Sequence, residues 1–162
     1  MSDGDDKMKV DIGLKDNARK AAAAALSKVL GSTYVLYLKT QGFHWNVTGP
    51  QFIQLHEMFG AQYAQLAAAI DELAERIRAL GEPAPGSYAQ FKKLSVIDEQ
   101  TEILPPQKMI AELVADHEAL TRLARETQET VEDLGDTETG DLMVGRMKEH
   151  GKTAWMLRAH LS

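Results

Sequence analysis

Four residues in the first half of the chain have the side chains best suited to holding a metal ion: His44, His56, Asp71 and Glu75. Histidine nitrogen combined with carboxylate oxygen suits iron, zinc or manganese. The chain has no cysteine, which excludes thiolate metal sites and disulfides. Spacing adds a constraint. His44 lies about six residues before Gly49-Pro50 and His56 about six after it, so in a pair of antiparallel helices the two imidazoles sit level. Asp71 and Glu75 are four apart and share one helical face. His56 and Asp71, however, are separated by about 22 Å along a helix axis at ~1.5 Å per residue. A metal–ligand bond is only about 2 Å long, so the histidines and carboxylates of one chain cannot share an ion.

Two copies could. If two such helices pack antiparallel, crossing near Ala64 and Gln65, His56 of one copy lies beside Asp71 and Glu75 of the other. Two-fold symmetry then creates two identical sites. Ala61, Ala64, Ala67, Ala68 and Ala69 are small enough to allow that close approach. The competing reading is of two unrelated halves: histidines satisfied in a turn, and carboxylates paired with Arg76 or Arg78 on a solvated face.

The elements that must hold these residues show in the periodicity. Apolar residues at Phe52, Leu55, Phe59, Leu66, Ile70, Leu73, Ile77 and Leu80 recur at steps of three, four and seven, which marks one helix face. Gly49-Pro50 precedes them, and proline is favoured in a first helical turn. Upstream, Leu26, Val29, Leu30, Tyr34, Tyr37 and Leu38 mark another helix. Four long helices are expected. The first two cover about 17–45 and 50–80. The third begins after Pro105-Pro106, carries Met109, Leu113, Leu120, Ala124, Thr127 and Val131 inward, and stops at Gly135. The fourth begins near Asp136 to Asp141, with Met143, Met147, Ala154, Leu157 and Leu161 inward. The connection GEPAPGSYAQFKKLS between the second and third is too long for a tight turn and predicts a short helical turn over 88–94. Two hairpins joined by a long crossover form the ferritin-like variant of the four-helix bundle, an all-α fold.

At 162 residues the chain is sized for one domain, read as a bundle over 17–162 after a flexible segment, 1–16. The acidic, polar start MSDGDDK is no secretory signal, and the longest alanine run, Ala21 to Ala25, is too short to span a bilayer. Cytoplasm is the expected compartment, with no membrane partner and no organic cofactor. The usual ferritin-like metal site uses Glu-x-x-His on two helices. That motif is absent: Glu149-His150 is adjacent, and His117 has Val114 three residues before it. Iron chemistry, if present, belongs at the shared interface rather than in the bundle core.

HWNVTGPQFIQLHEMF followed by DELAER resembles the Dps family, the mini-ferritins also called DNA-binding proteins from starved cells. The likeness runs over about 17–162 and includes the ending KTAWMLRAHL. It implies a hollow shell of twelve four-helix subunits. Ferroxidase sites would lie at the two-fold interfaces, with Fe(II) as substrate, hydrogen peroxide (or oxygen) as oxidant, and ferric mineral stored inside. By that likeness His44 and His56 come from one subunit and Asp71 and Glu75 from its mate. Trp45 would be an aromatic beside the iron, able to absorb a stray oxidising equivalent. It is equally readable as a packed helix-end residue.

One departure stands out. Many members carry Asp or Glu four residues after the second histidine, where this chain has Gly60. Glu57 is no replacement, being about 100° around the helix from its neighbour. A second iron would be held weakly or mainly by water. His117 and His150 fall on apolar stripes and read as buried, hydrogen-bonded residues. His160 lies in the last turn, where positive charge suits the helix dipole.

Seven acids and no lysine or arginine lie between Glu126 and Gly145, a run that concentrates cations. In the resembling shells the start of the fourth helix lines a three-fold iron-entry pore, which makes Asp136, Glu138 and Asp141 candidate pore residues. A solvated turn at a helix N-terminus is the plainer alternative. DNA binding is disfavoured. Phosphate affinity comes from lysine and arginine, yet in the first twenty residues Lys7, Lys9, Lys15, Arg19 and Lys20 are balanced by Asp3, Asp5, Asp6, Asp11 and Asp16. The whole chain is at −6, and no basic tail follows the last helix. The leading expectation is thus a ferroxidase and iron store that protects against oxidative damage. A nucleoid-compacting DNA-binding protein with incidental iron binding is the alternative, and a bare structural bundle the third.

Overall fold

A computed structural model describes residues 9–162. It contains α1 (Asp16–Asn46), α2 (Phe52–Ala79), a short α3 (Tyr88–Leu94), α4 (Pro106–Asp133) and α5 (Thr137–Arg158). A single 3-10 turn, Ala159–Leu161, closes the chain. No strand occurs among the described residues. α1 pairs with α2 and α4 with α5, and the crossover carrying α3 packs on α1. This is the expected architecture: two hairpins, a long crossover and one core. The acids of the first eight residues lie outside the described part. From residue 9 on, the chain approaches the bundle, and Leu14 packs against the core.

The boundaries follow from local chemistry. α2 and α4 end alike. Gly81 and Gly135 have φ of 93° and 83°, left-handed backbone that glycine adopts without penalty. Each donates its N–H to the carbonyl three residues back in the last turn, Gly81 to Arg78 (2.9 Å) and Gly135 to Glu132 (2.9 Å). The following residues donate further back, Glu82 to Ile77 and Asp136 to Val131. These paired bonds satisfy carbonyls that a helix end otherwise leaves orphaned. α5 starts at an aspartate cap, the Asp136 carboxylate accepting from the Thr139 N–H at 3.1 Å.

The core runs the length of the bundle. Leu26, Val29, Leu30, Leu36 and Phe43 of α1 meet Leu55, Phe59, Leu66, Leu73 and Ile77 of α2. Met109, Leu113, Leu120, Ala124 and Val131 of α4 and Met143 and Leu157 of α5 complete it. The inward face of α1 differs from the expected one. After Leu30 it passes through Thr33, Leu36, Thr40 and Phe43, all buried, while Leu38 is exposed and Tyr34 and Tyr37 are half-buried. The threonines take core positions because their hydroxyls donate to carbonyls four residues back, Val29 (2.6 Å) and Leu36 (2.7 Å). With the polar group satisfied locally, burial is not penalised. Leu161 is likewise exposed rather than inward. α1 is long and apolar enough to cross a membrane by composition, but 56% of its most apolar window is buried inside the bundle.

Candidate metal centre

Five residues, Val47–Gln51, turn the chain from α1 into α2, and the antiparallel register then brings His44 and His56 together. Their rings stack at 3.8 Å between centroids and 15° between planes. Each binds the other's backbone: His44 Nδ1 lies 2.6 Å from the His56 carbonyl oxygen, and His56 Nδ1 lies 2.7 Å from the His44 carbonyl oxygen. A carbonyl only accepts, so both Nδ1 atoms carry protons and donate. Both Nε2 lone pairs are thereby left free. This reciprocal lock fixes tautomer and orientation as the outer shell of a metal site does. It also caps α1, because the His44 carbonyl is among the last four of its helix and has no next turn to bond it.

Gly60 lies against the His44 ring. A Cβ built on it would lie 3.1 Å from His44 Cε1 and 3.2 Å from His44 Nδ1. The imidazole rests against bare backbone at this point. Tyr63 meets His44 edge-on, with centroids 5.1 Å apart, and Phe52 stacks on His56 at 5.1 Å. Tyr63 escaped the sequence reading although the signal was there: it lies two helical turns after His56, on the same face. Trp45 is 63% exposed in the subunit and makes no ring contact among the described residues.

Asp71 and Glu75 are both exposed, and neither makes a salt bridge among the described residues. The alternative of a carboxylate–arginine face fails for Arg76. Its guanidinium turns to α5, donating to the Thr139 hydroxyl (2.9 Å), Glu138 (2.8 Å) and Asp136 (2.9 Å). Arg78 donates to the Glu82 carbonyl. No group of three or more metal-binding side chains converges among the described residues of one subunit, as the helical rise requires. The surface of α2 between the two half-sites carries Ala61, Ala64, Ala67 and Ala68, all exposed. At about 100° per residue these alanines fall on the same side of the helix as His56, Asp71 and Glu75. Two histidines with free Nε2 atoms and two uncompensated carboxylates are a donor set that fits ferrous iron. Each half presents it at a surface rather than in a pocket.

The other singled-out residues fall elsewhere. Asp136 is 2% exposed. Besides capping α5 it pairs with Arg76 and accepts from the Thr139 hydroxyl at 2.5 Å, so it works as a structural anchor between α2 and α5. Glu138 shares Arg76 but stays exposed, and Asp141 is exposed. His117 and His150 are 1% exposed and meet in the bundle core, Nδ1 to Nδ1 at 2.9 Å, with Arg146 3.3 Å from His150 Nε2. Burial pushes His117 down to about 3, and the Arg146 charge adds to that. Burial also drives His150 well below its ordinary value, with His117 and Arg146 contributing. Both are neutral at physiological pH. His160 is half-buried in the closing 3-10 turn.

A family model described as a ferritin-like domain matches residues 23–162. The chain is similar to an uncharacterized low temperature-induced protein of Nostoc sp., 37% identical over 155 residues that cover 94% of this chain and 87% of that one. It is similar to DNA protection during starvation protein 2 of Bacillus anthracis, 35% identical over 88% of this chain and 98% of the other. Among solved structures, the Dps protein of Vibrio cholerae O1 superposes with a TM-score of 0.90. Sequence identity is 34%, and 93% of this chain and 95% of that one are covered. That protein is described as belonging to a broad superfamily of ferritin-like diiron-carboxylate proteins.

Proposed function

Since the chain belongs to the Dps family of ferritin-like proteins, we propose that it oxidises Fe(II) at sites shared across two-fold subunit interfaces and stores the ferric product in a hollow twelve-subunit shell. The observation that carries this reading is the histidine lock. Two imidazoles held by each other's carbonyls, at 2.6 and 2.7 Å, present both Nε2 atoms with no internal partner. The unpaired carboxylates Asp71 and Glu75 lie too far along α2 to serve the same subunit. They sit where an antiparallel second copy would need them.

In this reading His44 and His56 hold Fe(II) through Nε2, and Asp71 and Glu75 of a second copy complete the site. Nitrogen donors bind the ferrous ion. The hard carboxylate oxygens favour the ferric product, so the ligand set assists the change of charge. Hydrogen peroxide is the proposed oxidant. Gly60 supplies no carboxylate, so a second iron is held weakly. Glu138 and Asp141 serve as exposed carboxylates at an entry pore, with Asp136 behind them as the anchor. The compartment is cytoplasmic.

The test pairs iron and peroxide consumption with assembly size. Wild-type protein is expected to scatter light as a particle of roughly 200 kDa, about twelve chains, and to consume peroxide only when Fe(II) is present. The quadruple variant His44→Ala, His56→Ala, Asp71→Ala, Glu75→Ala should assemble yet lose fast oxidation. A monomer that oxidises iron rapidly, or a quadruple variant as active as wild type, overturns the proposal.

A further inference from the structure

All four tyrosines of the chain lie in one file that starts on His44, proposed above as a metal ligand. Tyr63 meets His44 edge-on at 5.1 Å, and Tyr37 meets Tyr63 at 5.9 Å. Tyr34 is 5.6 Å from Tyr37, and Tyr88 is 5.9 Å from Tyr34. Tyr34 also stacks on Phe91 at 4.5 Å. The register that levels His44 with His56 also levels Tyr37 with Tyr63, each two turns further from the hairpin. The far end is open: Tyr88 is 71% exposed, and it lines with Tyr34 a cavity of about 540 Å³ between α1 and the crossover. Packing alone does not require this arrangement. Phenylalanine would fill the same volume, and the chain has as many phenylalanines as tyrosines. What tyrosine adds is a phenol that can give up an electron together with its proton.

We propose that Tyr63, Tyr37, Tyr34 and Tyr88 form a redox relay that supplies the second electron when peroxide meets a site holding a single Fe(II), and carries the resulting hole away from the histidines. The inference rests on the iron-oxidising reading given above. Peroxide needs two electrons, and one ferrous ion provides one. Without a second donor the O–O bond would cleave to release a hydroxyl radical. A site whose second iron position lacks a carboxylate, as Gly60 implies, meets that situation often.

The step balances. One electron leaves Fe(II), and another leaves the Tyr63 phenol with its proton. Peroxide takes both electrons, the phenolic proton and one proton from solvent; the O–O bond breaks and two waters form. Fe(III) and a neutral phenoxyl radical remain. The hole then moves ring to ring toward Tyr88. When another Fe(II) arrives it returns one electron, a solvent proton restores the phenol, and that iron becomes Fe(III). In sum two ferrous ions, one peroxide and two protons from solvent give two ferric ions and two waters. Burial and the neighbouring Tyr88 hydroxyl push the Tyr34 phenol above its ordinary value.

The assembled protein is loaded anaerobically with one Fe(II) per site, mixed with peroxide, and freeze-quenched for electron paramagnetic resonance. A spin trap in parallel samples reports hydroxyl radical. Wild type should show a tyrosyl radical and little trapped hydroxyl radical. Tyr63→Phe removes one oxygen atom and keeps the ring. It should lose the tyrosyl signal and release hydroxyl radical. Tyr37→Phe should keep the signal but confine it to Tyr63, with altered hyperfine structure. If wild type oxidises its iron and no tyrosyl radical forms, the relay alone is refuted. The same holds if Tyr63→Phe leaves the signal intact. If no iron is oxidised, the relay falls together with the reading on which it rests.

Discussion

Subunit complementation is the sharpest test of the shared site. One parent carries His44→Ala and His56→Ala and keeps both carboxylates. The other carries Asp71→Ala and Glu75→Ala and keeps both histidines. The rise of α2 separates His56 from Asp71 by about 22 Å, so neither parent holds a complete site, and neither should oxidise Fe(II) above background. Co-assembly of equal amounts pairs the chains at random. About half the two-fold interfaces are then mixed. By symmetry each mixed interface has one site with all four ligands and one with none. The mixture should therefore recover about a quarter of the wild-type site number, and the initial rate of Fe(II) oxidation should follow. The histidine parent also loses two ring–carbonyl bonds, worth about 1 kcal/mol each, so all samples are first matched for assembly by light scattering. Stoichiometric mixing after assembly, without subunit exchange, is the control and should stay inactive. If co-assembled shells are no more active than the parents' average, the ligands are not contributed in trans and the geometry argued from α2 is wrong.

Stability should fall with acidity because of His117 and His150. Their folded-state values lie below the ordinary histidine value, so the unfolded chain binds more protons below pH ~6.5. The contribution is complete above that pH. It is lost progressively as pH falls from there toward the folded values; denaturant titrations at several pH values should show a steeper slope in wild type than in His117→Leu/His150→Leu. Replacing Asp136 by alanine should cost about 2–3 kcal/mol, from a lost helix cap and a broken pair to the mostly buried Arg76, and an unchanged denaturation midpoint would count against the anchor. Gly60→Asp supplies a hard oxygen ligand one turn from His56 and must displace the His44 ring by a few tenths of an ångström. Ferrous titration should move toward a second ion per site, and an unaltered endpoint would show that the missing carboxylate is immaterial. Wild-type protein should protect plasmid DNA from Fe(II) plus peroxide without retarding it in a gel at about 0.15 M salt, since phosphate binding needs cationic surface. Retardation, with equal protection by the quadruple variant, would make direct binding the mechanism.

Helix content, order and ends were legible in the sequence because they rest on local chemistry. Apolar steps of three and four, Pro105-Pro106 before α4, the Gly81 and Gly135 stops and the Asp136 start are each set within a turn or two. That His56 and Asp71 of one chain cannot share an ion was legible for a similar reason: the rise of a helix is a constant, and fifteen residues of it cannot be folded away. What the sequence left open depends on how one helix registers against another. That the two histidines bind each other's carbonyls, that the His44 ring lies against Gly60, and that Asp136 is buried against Arg76 are outcomes of the α1–α2 and α2–α5 packing. The α4–α5 packing brought His117 to His150, and the α1–α2 and α1–α3 packing aligned four tyrosines behind His44. It also turned the outward stretch of α1 away from the apparent stripe, putting Thr33 and Thr40 inside, since hydroxyls bonded to their own helix can occupy a core that a hydrophobicity pattern reserves for Tyr34 and Leu38. Residue types and spacing thus fixed which groups were available for chemistry, while helix-to-helix register, a property of the whole core, decided which atoms were left free to perform it.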